Sequence, residues 1–210
     1  MRLIIFGATG KTGTLLVHQA LEEGNQVVAY VRDPSRLTLK HVNLTVIHGE
    51  LSDRMAIKQA VGGADAVISV LGPRGGSRGK PITVGTENVI AAMKEQGMRR
   101  LIISSTASTK DPNDRPELRF RIMVGLVKLF IHAAYAGIVS TSETVRRSNL
   151  DWTIIRLSLL NDNPRTGKVR VGYMGRGEVR TRITRADIAD FMLKQVREEK
   201  YLKQAPLISN

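Results

Sequence analysis

Short apolar runs alternate with amphipathic stretches along this chain. Leu3-Ile4-Ile5-Phe6, Gln26–Val31, Leu44-Thr45-Val46-Ile47, Ala64–Leu71, Arg99–Thr106 and Leu150–Leu157 are brief and rich in β-branched residues, the composition of strands buried on both faces. Between them apolar positions recur at spacings of three and four, as in Leu15, Leu16 and Ala20 or in Val89, Ile90, Ala92 and Met93, which puts them on one face of a helix. The punctuation agrees. Asp53 stands where it would cap a helix running through Ala60, Gly97 ends the one over Ile82 to Gln96, and Thr184 with Asp187 forms an approximate capping box for the last. Strand then helix, repeated, predicts an α/β fold in which a parallel sheet carries helices on both faces. Shorter strands are predicted at Lys168–Tyr173 and Val179–Ile183, around Gly175-Arg176-Gly177.

The first strand breaks directly into Gly7-Ala8-Thr9-Gly10-Lys11-Thr12-Gly13 and then into a helix. A helix start leaves N–H groups without partners and carries partial positive charge, so an anion can rest there if no side chain intervenes. Gly7 lets the chain turn as it leaves the strand, Gly10 lets backbone approach a phosphate, and Gly13 lets the helix pack close to the sheet. The second strand ends in Arg32-Asp33-Pro34-Ser35-Arg36. In a strand–helix–strand unit that holds a dinucleotide, this tip meets the adenosine ribose: an acid there binds the 2′-hydroxyl of NAD, an arginine the 2′-phosphate of NADP. Arg32, with Arg36 one turn on, predicts NADPH, and Asp33 is read as the cap of the turn that Pro34 fixes. Glu50 and Leu51, after the third strand, are placed against the adenine. Gly72 to Gly79, with Arg74 and Arg78, is a glycine-rich loop beyond the fourth strand, read either as a closure over the cofactor or as a surface loop. Ser104, Ser105 and Thr106 end the fifth strand, where a reductase of this architecture holds its nicotinamide and substrate; hydroxyls there also cap turns.

Composition narrows the chemistry. The 210 residues suit one α/β domain over 1–210. With no cysteine, disulfides, thiolate metal sites and a cysteine nucleophile are excluded together. His18, His41, His48 and His132 show no ligand spacing, so no metal is expected. No apolar run reaches membrane-spanning length and the N-terminal one resembles no signal peptide, so a cytoplasmic protein is expected. The net charge of +13 is spread over several clusters, and with aromatics at 4% and no nucleic-acid-binding motif, no specific nucleic acid is expected as partner. Leu118 to Tyr135 is strongly apolar but interrupted by Arg119, Arg121 and Lys128. A buried helix, an amphipathic lid, a homodimer face and a peripheral membrane contact are the readings open to this insertion near 119–135.

Several stretches together resemble a known family. Phe6 to Gly13, Val31 to Leu37, Asp65 to Ile68 with Leu71-Gly72, Asn88 to Lys94, and Asp162 to Gly167 are similar to the atypical short-chain dehydrogenases of the NmrA-like group, and within it to NADPH-dependent flavin and biliverdin reductases. The resemblance implies a Rossmann-like, doubly wound parallel sheet and bound NADPH. It places Gly7, Thr9, Gly10, Lys11, Thr12 and Gly13 on the pyrophosphate, Arg32 on the 2′-phosphate, Glu50 and Leu51 by the adenine, Leu71, Gly72 and Arg74 along the cofactor, and Ser104 to Thr106 by the nicotinamide. The group's active-site serine falls on Thr106, which makes Thr106 and its neighbour Ser105 the catalytic candidates. Its pocket histidine falls on Leu159, which has no proton to give.

Ordinary short-chain dehydrogenases protonate a carbonyl with Tyr-x-x-x-Lys, the lysine lowering the tyrosine pKa. Tyr30, Tyr135, Tyr173 and Tyr201 are followed at that spacing by Pro34, Val139, Gly177 and Ala205, so the pair is absent. The expected activity is hydride transfer by positioning onto a flat conjugated acceptor, a flavin (FMN or FAD) ahead of a quinone or tetrapyrrole. The alternative is a regulator that senses NADP(H) without turnover.

Overall fold

A strand with no solvent face must sit in the middle of something. In β1 (Arg2–Phe6), Leu3, Ile4, Ile5 and Phe6 are each at most 1% exposed, which requires a neighbouring strand on either side and a layer above and below. The computed structural model describes residues 1–72, 81–116 and 132–210 and supplies all four. The chain continues through α1 (Lys11–Glu22), β2 (Gln26–Val31), β3 (Leu44–His48), α2 (Arg54–Val61), β4 (Ala66–Ser69) and α3 (Pro81–Glu95). It goes on through β5 (Arg100–Thr106), α4 (His132–Arg146), β6 (Asp151–Leu157), β7 (Leu159–Asn161), β8 (Arg170–Gly172), β9 (Arg182–Thr184), α5 (Arg185–Lys194) and β10 (Leu207–Ser209).

The main sheet runs β3-β2-β1-β4-β5-β6-β10-β8, parallel throughout except where β8 pairs antiparallel with β10; β7 and β9 form a separate two-stranded parallel ribbon. This is the Rossmann-like, doubly wound sheet the sequence predicts. Side-chain alternation sorts the core into two layers. Leu3 and Ile5 of β1 join Leu16, Val17 and Ala20 of α1 with Ile188, Ala189 and Met192 of α5 on one face. Ile4 and Phe6 join Ile57 of α2, Val89 and Met93 of α3 and Val145 of α4 on the other. The chain builds outward from β1 in one direction through β2 and β3, and in the other through β4, β5 and β6. A crevice therefore opens beyond the carboxyl ends of β1 and β4, the place where sheets of this kind bind ligands.

The caps follow the sequence. Asp53 accepts from the Ala56 N–H at 2.9 Å, and Thr184 accepts from Asp187 N–H at 3.0 Å while its hydroxyl donates to the Asp187 carboxylate at 2.7 Å. Two readings are corrected and one strand is added. The run Ala64–Leu71 yields a strand of only four residues, because Gly63 turns at φ 69° and Asp65 is drawn aside to accept the Arg2 N–H at 2.7 Å. The strand expected at Val179–Ile183 lies at Arg182–Thr184, set by its pairing with β7. The C-terminal Leu207–Ser209, unread in the sequence, is a buried strand inserted between β6 and β8. Most of the apolar segment near 119–135 and the loop carrying Arg74 and Arg78 lie outside the described residues; His132 to Tyr135 begin α4.

One buried charge fastens the end of the sheet. Arg156 in β6 has no exposed surface, and its guanidinium donates to both carboxylate oxygens of Asp114 at 2.7 Å and to the Thr109 carbonyl at 2.9 Å. Asp114 also accepts N–H groups of Asp111 and Met174, at 2.8 and 2.9 Å. Burial pushes the Asp114 carboxyl up, but the Arg156 hydrogen bonds and charge, with those two N–H groups, bring it net below the usual carboxylate range. Breaking such a pair leaves a buried charge uncompensated. Asp114→Asn is accordingly expected to destabilise the protein by about 3–5 kcal/mol at neutral pH, read by urea denaturation. Because the folded pKa is lowered, the wild-type contribution is complete above the unfolded value of about 3.9 and disappears as pH falls through the folded value. The same variant should therefore lose part of the acid-side fall in stability.

Candidate functional site

The turn after β1 is built by glycines that answer to different constraints. Gly7 has φ 86°, and a Cβ there would come within 3.0 Å of the Val70 backbone. A Cβ on Gly13 would lie 2.0 Å from the Gly7 carbonyl oxygen, so α1 seats directly on the turn. The close approach expected of Gly13 is thus to the turn rather than to the strand. Gly10 differs from both. Its φ is −84°, the Gly10 N–H bonds the Gly7 carbonyl at 3.0 Å, and a Cβ would meet only that carbonyl, at an ordinary 3.4 Å. Among the described residues nothing requires glycine at this exposed position, and only the Gly7 carbonyl comes near the space a side chain would fill at the start of α1.

That start holds no acid of its own. Gly10 caps α1 without a side chain, and no acidic residue stands in the first turn, so the positive end of the helix is offered to the crevice, and the acid that reaches it is Asp162, brought in from another loop. An oxyanion such as a pyrophosphate fits this cradle. Lys11, in the first turn, donates to Asp162 at 2.7 Å, and Asp162 also pairs with Arg185 at the start of α5. Thr9 and Thr12 are half-buried beside it.

At the tip of β2, Asp33 accepts both the N–H and the hydroxyl of Ser35, at 3.1 and 2.6 Å, and caps the short 3₁₀ turn Pro34–Arg36. The Ser35 hydrogen bonds, with the charges of Arg36 and Arg32, hold its carboxyl below the usual range. Asp33 is therefore the turn cap the sequence suggests, and Arg32 and Arg36 project exposed on either side of it. Beside it, beyond the neighbouring β3, the Tyr30 hydroxyl donates to the Glu50 carbonyl at 2.8 Å, and a Cβ on Gly49 would strike that hydroxyl at 2.1 Å. Leu51 is half-buried under α3, where a Cβ on Gly85 would approach its own Cβ to 2.7 Å, and its carbonyl accepts from Asn88 at 2.9 Å. The Glu50 side chain is exposed. Leu71 is half-buried beyond β4, Gly72 beside it is exposed, and Arg74 lies outside the described residues.

The hydroxyls ending β5 divide by strand parity. Ser105 is buried toward α4, its hydroxyl 2.6 Å from that of Thr109 and 3.1 Å from that of Ser142. Ser104 is half-buried on the opposite face. Thr106 is exposed at the strand tip, in register with Leu157 and hydrogen-bonded to Ser108. Of the two catalytic candidates, only Thr106 presents its hydroxyl to the open end. Leu159 and Leu160, at 68% and 42% exposed, follow immediately beyond Leu157.

The described tyrosines are poorly suited to acid catalysis. Burial, with the Asp53 and Glu50 charges, pushes Tyr30 up to about 12. Burial also raises Tyr173, whose hydroxyl bonds Gln204, and Tyr201 packs against Phe191. Among the described residues no group of three His, Asp or Glu is placed to hold a metal ion, and no helix is long and apolar enough to cross a membrane. Two features escaped sequence reasoning: the Arg156–Asp114 pair, signalled only by an arginine placed after the apolar Ile154-Ile155 of β6, and the convergence of Lys11, Arg185 and Asp162, for which the sequence carries no signal.

Comparison with known proteins agrees with this geometry. Residues 7–199 match the model of a family described as NAD(P)H-binding. The 2-alkyl-3-oxoalkanoate reductase of Stenotrophomonas maltophilia is 34% identical over 114 residues, a match covering 51% of this chain and 34% of that protein. Two solved structures share the fold over all of this chain. One is the anaerobillin reductase ChuY of Escherichia coli O157:H7, with TM-score 0.81, 21% identity and 97% of that chain covered. The other is a short-chain dehydrogenase/reductase of Veillonella parvula in complex with NADP, with TM-score 0.78, 19% identity and 94% covered. With the glycine turn leading into α1 and a family match that extends over nearly all of its length, this chain belongs to the NAD(P)H-binding family of Rossmann-like proteins.

Proposed function

We propose that the protein is an NADPH-dependent reductase that delivers hydride to a flat conjugated acceptor, a flavin first among them. The observation that carries this reading is the state of Tyr30 and Tyr173. A carbonyl reductase needs a phenol of lowered pKa at the strand ends, whereas Tyr30 and Tyr173 are shifted upward and already donate to other groups. A conjugated ring accepts hydride without a matched acid, its proton coming from water. The name of ChuY, a bilin reductase on the same fold, is in keeping with such an acceptor.

In this reading, the α1 start and Gly10 take the pyrophosphate with Thr9, Lys11 and Thr12, and Arg32 and Arg36 take the 2′-phosphate. Glu50 and Leu51 flank the adenine, and Leu71, Gly72 and Arg74 run along the cofactor. Ser104 and Thr106 face the nicotinamide, whose reduced form supplies the hydride. Ser105, closed into its hydroxyl cluster, holds the strand tip in place, and the exposed Leu159 gives a flat ring an apolar surface to lie on.

Stopped-flow oxidation of NADPH with FMN, FAD, a quinone and a bilin tests the reading, with turnover expected on the flavins. Tight binding of NADPH and NADP⁺ with no oxidation by any of the four would replace it with a cofactor-sensing role. Arg32→Asp removes a charge-assisted contact and adds a repulsion, so NADPH affinity should fall by about 10- to 100-fold while NADH affinity holds, as measured by calorimetry. Thr106→Val, nearly isosteric, should lower kcat/KM by roughly fivefold through one lost hydrogen bond.

A further inference from the structure

Asp162 stands between two helix starts. Lys11 opens α1 and Arg185 opens α5, and both donate to its carboxylate. The two halves are unequal. The Lys11 and Asp162 side chains are 72% and 58% exposed, whereas Arg185 is only 20% exposed. The bond to Lys11, followed by the charge of Arg185, keeps the Asp162 carboxyl below the usual range, so it is ionised at neutral pH.

The loop carrying Asp162 has little freedom to withdraw. Asp187, itself buried, accepts the N–H groups of Thr166 and Gly167 at 3.0 and 2.9 Å, and Arg165 pairs with the buried Asp190. At the other end Asn161 accepts the Asn163 N–H at 3.0 Å. The α1 and α5 helices are tied as well, Gln19 donating to the Ala186 carbonyl at 3.1 Å. A carboxylate is thus fixed beside a cradle whose remaining features all attract anions.

We infer that Asp162 is an internal counter-ion of the dinucleotide site, which holds Lys11 when no cofactor is bound and surrenders it to the pyrophosphate when one arrives. This rests on the pyrophosphate lying at the start of α1. An exposed ion pair is weak and screened by salt, so Lys11 exchanges readily. Asp162 stays with Arg185 after the exchange and its remaining charge opposes the phosphates. Its net effect is to weaken cofactor binding and so to favour release of the oxidised dinucleotide.

Calorimetric titration of NADPH and NADP⁺ into the whole chain at low and physiological salt tests the inference. Asp162→Asn should bind both forms about three- to fivefold more tightly at low salt, with the gain shrinking as salt rises. In a Lys11→Met background the same substitution should bring a smaller gain, since the competition for the ammonium is gone. Unchanged or weaker binding by Asp162→Asn overturns the inference; weaker binding would mark Asp162 as a clasp that closes the loop on the cofactor. Gly10→Val separates the two levels. If it binds NADPH as the wild type does, the placement of the pyrophosphate is wrong and the counter-ion role falls with it. If it loses binding while Asp162→Asn shows no gain, the counter-ion role alone falls.

Discussion

The seating of α1 on the turn before it decides most of what this molecule can bind. Gly13 brings the helix onto the Gly7 carbonyl, and any side chain there would overlap that oxygen. Because the helix rests on the turn, its first N–H groups and the positive end of its dipole sit at the mouth of the β1–β4 crevice. The contact works only while β1 is held from both sides, since its carboxyl end fixes where Gly7 lies. The central strand, the turn and the helix therefore form one rigid unit, and the cradle is the exposed end of it.

The excess of basic residues does not act as a single surface field. Arg156 is wholly buried and neutralised by Asp114. Arg100 is turned inward onto the carbonyls of Gln195 and Asp151 and the hydroxyl of Thr153, and burial lowers it to about 10. These guanidiniums satisfy backbone carbonyls and an internal carboxylate inside the fold. Arg32 and Arg36 remain exposed at the crevice, and Lys11 and Arg185 are shared with Asp162. The part of the charge that steers an anionic cofactor is thus local, and it is moderated by an acid fixed among the bases.

The same separation of places applies to the hydroxyls ending β5 and to the described phenols. Strand parity sends Ser105 into a closed cluster and leaves Thr106 at the open end, although the two are adjacent in the chain. Tyr30 supports the loop that would lie under an adenine, bonding the Glu50 backbone. The described groups at the strand ends hold backbone and one another in place and offer no phenol of lowered pKa.

Local signals were legible in the sequence wherever one element explains itself. The first strand, its glycine turn and helix, the cap of the Pro34 turn by Asp33, and the caps at Asp53 and Thr184 depend on neighbours a few residues away, and each stands where the pattern put it. Single residues in contact across the chain left no such trace. Leu207–Ser209 is too short a run for periodicity to register, and becomes a strand only because β6 and β8 leave a gap for it. Arg156 meets Asp114 from 42 residues away and Lys11 meets Asp162 from 151. The chain by itself determined the two-faced parallel sheet and the anion cradle, since both follow from spacing and backbone conformation. Which charges meet, and which of two neighbouring hydroxyls faces the open end, was decided by tertiary packing, because only the folded sheet sets the distances and the parity on which those contacts depend.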